Sequence, residues 1–176
     1  MKDCVFNITI IKNNSEYEDV SFRSDLLSLN YIFGSAFYTQ NVELQGLLRF
    51  TSDTHPAANK RIVFKHFLGL MSSKLTLLKR DHAVFFPIDM EAEYTGALKC
   101  NLDSEEQFSI QFGVLDKEGV GIDIKTFEEI GNVSKFFTAQ TPQVNCEISD
   151  LQVAIAENLL QLNLESINFM PETMKG

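Results

Sequence analysis

The residues best suited to chemistry form a short acidic run, "IDMEAEY". Asp89, Glu91 and Glu93 alternate with apolar residues, so on a strand the three carboxylates would share one face. Such a face could hold a hard cation through oxygen ligands, and a metal-dependent enzyme is one hypothesis. It could also contact a basic partner. The sequence favours a third interpretation, the solvent-exposed face of an edge strand, where charge discourages pairing with another chain.

A basic stretch, residues 60–82, is the second candidate site. It holds six of the fifteen Lys and Arg of an acidic chain, and two of its three His. On strands, its charges would divide between two faces while the apolar residues between them enter the core. Two basic corners would remain, Lys60 with Arg61 and Lys79 with Arg80. They would bind an anionic group only if they lay close together.

Histidine and cysteine spacing gives no metal or disulfide pattern. The histidines at 55, 66 and 82 are eleven and sixteen residues apart, with no carboxylate at ligand spacing. The three cysteines form no CxxC pair: Cys4, Cys100 and Cys146. We therefore expect no cofactor and no structural metal.

The charge of the chain points to a protein partner. A formal net charge of −9 argues against general nucleic-acid binding, which needs a dominant positive field. Residues 1–80 hold ten Lys and Arg against seven Asp and Glu, whereas residues 81–176 hold five against seventeen. Two faces of opposite sign are expected. One hypothesis is an acidic inhibitor or immunity-type protein that masks a basic target such as a nuclease; a homo-oligomer stays open.

The amino terminus does not resemble a secretory signal. Asp3 stands where positive charge is needed, and Asn7 interrupts the apolar run. No apolar run approaches the roughly 18 residues that a membrane span needs. The sequence predicts a cytoplasmic, reduced protein without a membrane span.

Alternating apolar residues and short spacing predict mostly strands. Pro87 should confine its strand to a sheet edge or a bulge. Helices are expected only from Ser24 onward, with Ser24 as a possible N-cap, and over 126–137. The predicted strands are 4–12, 42–52, strands within 60–78, 83–94, 96–102, 107–115 and 120–127.

The C-terminal segment is ambiguous between strand and helix. Its apolar residues alternate at 144–148 and again at 160–164, which favours two strands, although "LQVAIAENLL" would also suit a helix. We expect a main β-rich domain over 1–140, with 141–176 completing it or forming an appended hairpin. The predicted fold is a β-rich α+β domain, an antiparallel β-barrel or sandwich with two or three short helices.

The segment from "HFLGLMSSKL" to "GIDIKTFEEI", about 65 residues over 66–130, resembles the later strands of a PilZ domain. The fragment "VNCEISDLQVAIAE" is similar to the strand that opens that domain. The resemblance implies a six-stranded β-barrel.

The residues that bind cyclic di-GMP in PilZ domains are missing here. Those domains use an Arg-x-x-x-Arg motif and an Asp/Asn-x-Ser-x-x-Gly motif. If Gly69 is the motif glycine, Phe64 and His66 replace the acidic residue and the serine. If Asp150 is the acidic residue, neither the serine nor the glycine follows it. The resemblance therefore implies a degenerate PilZ-like adaptor: a non-enzymatic, regulatory module that acts by protein–protein contact without the dinucleotide.

Overall fold

The computed structural model describes residues 5–11, 20–50, 56–80, 82–90, 94–104, 107–116, 121–126, 128–130, 136–138 and 141–168. Its strands are β1 (Asn7–Ile10), β2 (Val20–Ser24), β3 (Leu29–Phe33), β4 (Ala83–Met90), β5 (Tyr94–Leu102), β6 (Gln107–Asp116), β7 (Gly121–Ile122), β8 (Glu129–Ile130), β9 (Phe136–Thr138) and β10 (Val144–Glu147). Its helices are α1 (Ala36–Thr39), α2 (Val42–Leu48), α3 (Pro56–Leu75) and α4 (Ile148–Asn168).

The strands form antiparallel sheets, which confirms the α+β class. A three-stranded sheet, called the smaller sheet, has the order β1-β2-β3, and a five-stranded larger sheet has the order β10-β6-β5-β4 with β9 also paired to β6. β7 and β8 pair with each other in a separate two-stranded sheet. A closed barrel, one of the two predicted architectures and the one the PilZ resemblance implies, is wrong: among the described strands, β4 and β10 do not pair with each other. The arrangement is an open, sandwich-like fold in which the ring of Tyr31 on β3 lies 5.3 Å from that of Phe112 on β6.

The core is centred on aromatic residues between the sheets and α3. Tyr38 is fully buried, and its ring makes edge contacts with Phe64 and Phe67 at centroid distances of 5.9 and 5.0 Å. Its hydroxyl donates a 2.8 Å hydrogen bond to the Ile88 carbonyl. A buried tyrosine needs such an acceptor, and here it is a backbone group of β4.

The strands predicted within 60–78 are wrong, because this stretch is helix α3. Apolar residues occur around most of its circumference, as in a helix that is buried on several sides. Gly69, Ser72 and Ser73, which suggested breaks, lie exposed on its outer face. The Ser73 hydroxyl donates a 3.0 Å hydrogen bond to the Gly69 carbonyl one turn earlier, so the helix itself satisfies this polar group.

Three other element predictions are also wrong. The helix predicted from Ser24 is a hairpin of β2 and β3, followed by the single turn α1. The strand predicted over 42–52 is α2, whose N-cap Asn41 accepts a 2.9 Å hydrogen bond from the Leu44 amide. In place of a helix over 126–137, residues 129–130 form β8 and residues 136–137 belong to β9, whereas 127 and 131–135 lie outside the described residues.

The edge position predicted for the Pro87 strand is confirmed. β4 lies at the edge of the larger sheet and pairs only with β5 in the described residues. Its register shifts between Pro87 and Asp89, which is a β-bulge. Proline fits there because it cannot donate to a ladder.

The C-terminal segment contains one of its two predicted strands. β10 pairs with β6, but the strand predicted over 160–164 is part of α4. α4 packs on α3 and β1, and Asn158 ties it to the free edge of β1. The Asn158 oxygen accepts from the Ile8 amide at 2.7 Å, and its nitrogen donates to the Phe6 carbonyl at 3.1 Å.

Candidate functional site

The structure places Asp89 in the interior, with only 2% of its surface exposed. The Tyr31 hydroxyl donates a 2.6 Å hydrogen bond to Asp89 Oδ2, and the Tyr94 hydroxyl lies 3.5 Å from the same oxygen. The prediction that Asp89 lies on a solvent-exposed strand face is therefore wrong. The bulge is the reason: one extra residue in β4 moves Asp89 to the opposite face of the sheet. Glu91 and Glu93 lie outside the described residues.

The buried cluster of Tyr31, Asp89 and Tyr94 has a structural role. Burial, together with the hydrogen bond to Asp89, raises the pKa of Tyr31 well above its ordinary value. Its hydroxyl consequently stays protonated and acts as a donor, which makes it a poor base or nucleophile. The cluster joins β3 of the smaller sheet to β4 of the larger.

Metal-binding side chains do not cluster in the part of the chain that the structure describes. No group of three or more His, Cys, Asp or Glu in these residues could hold a metal ion. His66 Nε2 lies 3.1 Å from the Lys125 carbonyl oxygen, and His82 is exposed. His55 lies outside the described residues.

The two basic corners are separated along the chain by most of α3. Lys60 and Arg61 lie in the second turn of α3, whereas Lys79 and Arg80 follow its end. The helix rises roughly 22 Å between residues 60 and 75. Arg61 is also only 5% exposed, because helical rather than strand geometry turns it inward. A joint anion site at these four residues therefore stays a prediction.

The surface that sequence reasoning missed is the outer face of α4. Val153, Leu160 and Leu164 are 54%, 59% and 53% exposed. With the exposed Glu157 they form a row that we call the α4 stripe. At about 100° per residue the four positions lie within about 60° of one another around the helix, and they extend about 16 Å along it.

The opposite face of α4 is the one that enters the core. Its buried residues are Leu151, Ala154, Ile155, Asn158 and Leu162. The helix is thus apolar on two opposite sides, and this explains the wrong strand prediction: Leu160 and Leu164 alternate with a buried Leu162. The signal that could have found the stripe is the spacing of four, three and four residues from 153 to 164.

The electrostatic character of α4 is uniformly acidic. Residues 148–168 include no Lys, Arg or His. Asp150 lies in the first turn, where it suits the helix dipole. Glu157, in contrast, has no hydrogen-bond or ion-pair partner among the described residues, so its charge faces solvent within an apolar row.

Comparisons with protein-family models, with curated proteins and with solved structures gave no match. Within the described residues, no helix is both long and apolar enough to cross a membrane. A function is therefore inferred from the geometry of this chain alone.

Proposed function

We propose that the protein is a non-enzymatic binding module that acts by protein–protein contact, with the α4 stripe as its contact surface. The observation that carries the proposal is the row of three large apolar side chains, each more than half exposed, on one face of a single helix. Contiguous exposed apolar groups mark interaction surfaces, whereas scattered ones need no explanation. A regulatory, PilZ-like adaptor is one form such a module can take.

The stripe is held on a rigid support, which favours recognition. The inner face of α4 is buried, and Asn158 fixes the helix to β1 through two backbone hydrogen bonds. A preformed surface loses little conformational entropy when a partner binds. The backbone positions that carry the stripe are thus in place before any contact is made.

The acidic inhibitor that masks a basic target is the second candidate function. What supports it is the absence of basic residues from α4 and the excess of seventeen acidic over five basic residues in 81–176. Catalysis by Asp89 with a metal has less support, because the described part of that site commits the carboxylate to Tyr31.

A differential capture experiment tests the proposed function. Tagged wild-type chain, Leu160→Ser and Leu77→Ser are compared for the proteins they retain from the cells that naturally express the chain. Leu77 is a matched control because it is 67% exposed but lies beyond the end of α3, outside the stripe. We expect a partner that Leu160→Ser loses and Leu77→Ser retains. If the wild-type chain and both variants retain the same partners, the proposal is contradicted.

A further inference from the structure

We propose that the α4 stripe takes a basic amphipathic helix, whose apolar side chains pack on Val153, Leu160 and Leu164 and whose Lys or Arg pairs with Glu157. This inference rests on the proposed function and specifies the chemistry of the partner. It follows from three features: the spacing of the stripe, its single charge and the absence of basic residues from α4.

The spacing of the stripe is that of a helix-packing seam. Positions 153, 157, 160 and 164 alternate by four, three and four residues, the pattern of the a and d positions in a two-helix coiled coil. The other side of α4 is occupied by the protein's own core. A partner helix of about three turns would cover the stripe, which is about 16 Å long.

Glu157 decides which helix fits. Covering the stripe would remove the Glu157 carboxylate from water, and an unpaired carboxylate in an apolar contact is costly. No described residue pairs with Glu157, and α4 has no basic side chain to supply. The partner must therefore provide the cation, and a single charged residue in a seam fixes the register of the two helices.

A second copy of this chain would not supply the cation that Glu157 requires. In a parallel pair of α4 helices, Glu157 would face the same glutamate of the other copy, and like charges in a seam repel. In an antiparallel pair centred on Leu160, Glu157 would face Leu164 and remain without a cation. The charge of the stripe thus favours a different, basic partner over self-association.

The test uses two synthetic amphipathic peptides of equal length with leucine seams. They differ only at the central seam position, which is Lys in one and Glu in the other. Binding of each peptide to wild-type chain, Glu157→Lys and the control Glu128→Lys is measured by fluorescence anisotropy. Glu128 is an exposed carboxylate outside α4, so this variant changes the net charge equally without altering the stripe.

Wild-type chain and Glu128→Lys should bind the Lys peptide about tenfold more tightly than the Glu peptide, and Glu157→Lys should reverse the preference. Equal binding of both peptides, or binding of neither, would overturn the inference. A wild-type dimer that Leu160→Ser dissociates in sedimentation would overturn it too. If the peptides fail while partner capture still depends on Leu160, only the partner's chemistry is wrong. If capture does not depend on Leu160, the proposed function is wrong as well.

Discussion

The hydrogen bond between Tyr31 and Asp89 links the smaller sheet to the larger one at a distance of 2.6 Å. It joins β3 to β4 beside the contact of Tyr31 with Phe112. A buried carboxyl group is tolerated when such donors satisfy it. Asp89, the residue with the most obvious capacity for chemistry in the sequence, thus has a structural role that the sequence did not reveal.

Replacing Tyr31 by Phe should destabilise the protein by about 1–3 kcal/mol at neutral pH, since Asp89 would lose the hydrogen bond from the Tyr31 hydroxyl. The raised pKa of Tyr31 gives a further test. The folded state keeps the phenol proton at a pH where the unfolded chain releases it, so the stability from this group is complete below about pH 10 and is lost above it. Denaturant unfolding at neutral and alkaline pH checks both effects.

Tyr94→Phe is the matched control for that measurement. Its hydroxyl lies 3.5 Å from Asp89, and the residue is 36% exposed, so its removal should cost less. We expect stability to fall less steeply above about pH 10 in Tyr31→Phe than in the wild type. Identical alkaline slopes in the two proteins would show that Tyr31 does not titrate as described.

Among the secondary-structure elements, α4 carries the proposed surface, and Asn158 anchors this helix to β1. Asn158 replaces a neighbouring strand at the edge of β1, because it both accepts from Ile8 and donates to Phe6. Sheet edges that are not paired must be covered in some other way. The same side chain therefore closes the smaller sheet and sets the position of the stripe.

Asn158→Ala should destabilise the protein by about 2–3 kcal/mol, since two buried backbone groups would lose their partners. Asn163→Ala is the control, because Asn163 is exposed on the same helix and the helix-propensity gain is equal. Denaturant unfolding compares the two. Equal stability of the two variants would contradict the role given to Asn158.

Gly113 allows β9 to approach β6. A Cβ atom there would overlap the Phe136 ring and the Phe137 carbonyl, so Gly113→Ala should cost about 1–3 kcal/mol and loosen β9. Gly69→Ala is the control, with open space around the added carbon, and should gain about 0.5–1 kcal/mol as helical glycine is replaced. Thermal unfolding should show shifts of opposite sign; a stable Gly113→Ala would contradict this packing.

The sequence was sufficient for strands β4 to β6 and insufficient for the long helices, for a physical reason. Strands β4 to β6 have one or more period-two faces, short turns between them and a proline at the edge, and all of these are local signals. α3 and α4 each carry apolar residues on more than one side, so the 3.6-residue period is obscured. The stripe was missed for the same reason, and the burial of Asp89 depends on a one-residue bulge that alternation cannot reveal.

At the scale of the whole molecule, charge is expected to govern association more than folding. Most acidic residues fall in 81–176, which includes the helix that carries the stripe. Complementary charge speeds encounter and selects partners. A basic partner should therefore be attracted to this half of the chain by its charge at distances where the apolar contact does not yet act.

Binding of a captured partner should weaken as salt is raised from about 0.05 to 0.5 M, because the Debye length falls from above 10 Å to a few ångströms. The dissociation constant measured by calorimetry across this range checks the expectation. Glu157→Gln should reduce the salt dependence, whereas Glu128→Gln should reduce it less. Affinity that is independent of salt would point to a purely apolar contact.

The most direct test of contact through α4 is the dissociation constant of the captured partner for wild-type chain, Leu160→Ser and Leu77→Ser. Loss of a central apolar contact should weaken binding at least about tenfold in Leu160→Ser. Leu77→Ser, changed equally at an exposed site outside the stripe, should remain within about twofold of the wild type. Equal affinities of all three proteins would contradict the assignment of the α4 stripe as the contact surface.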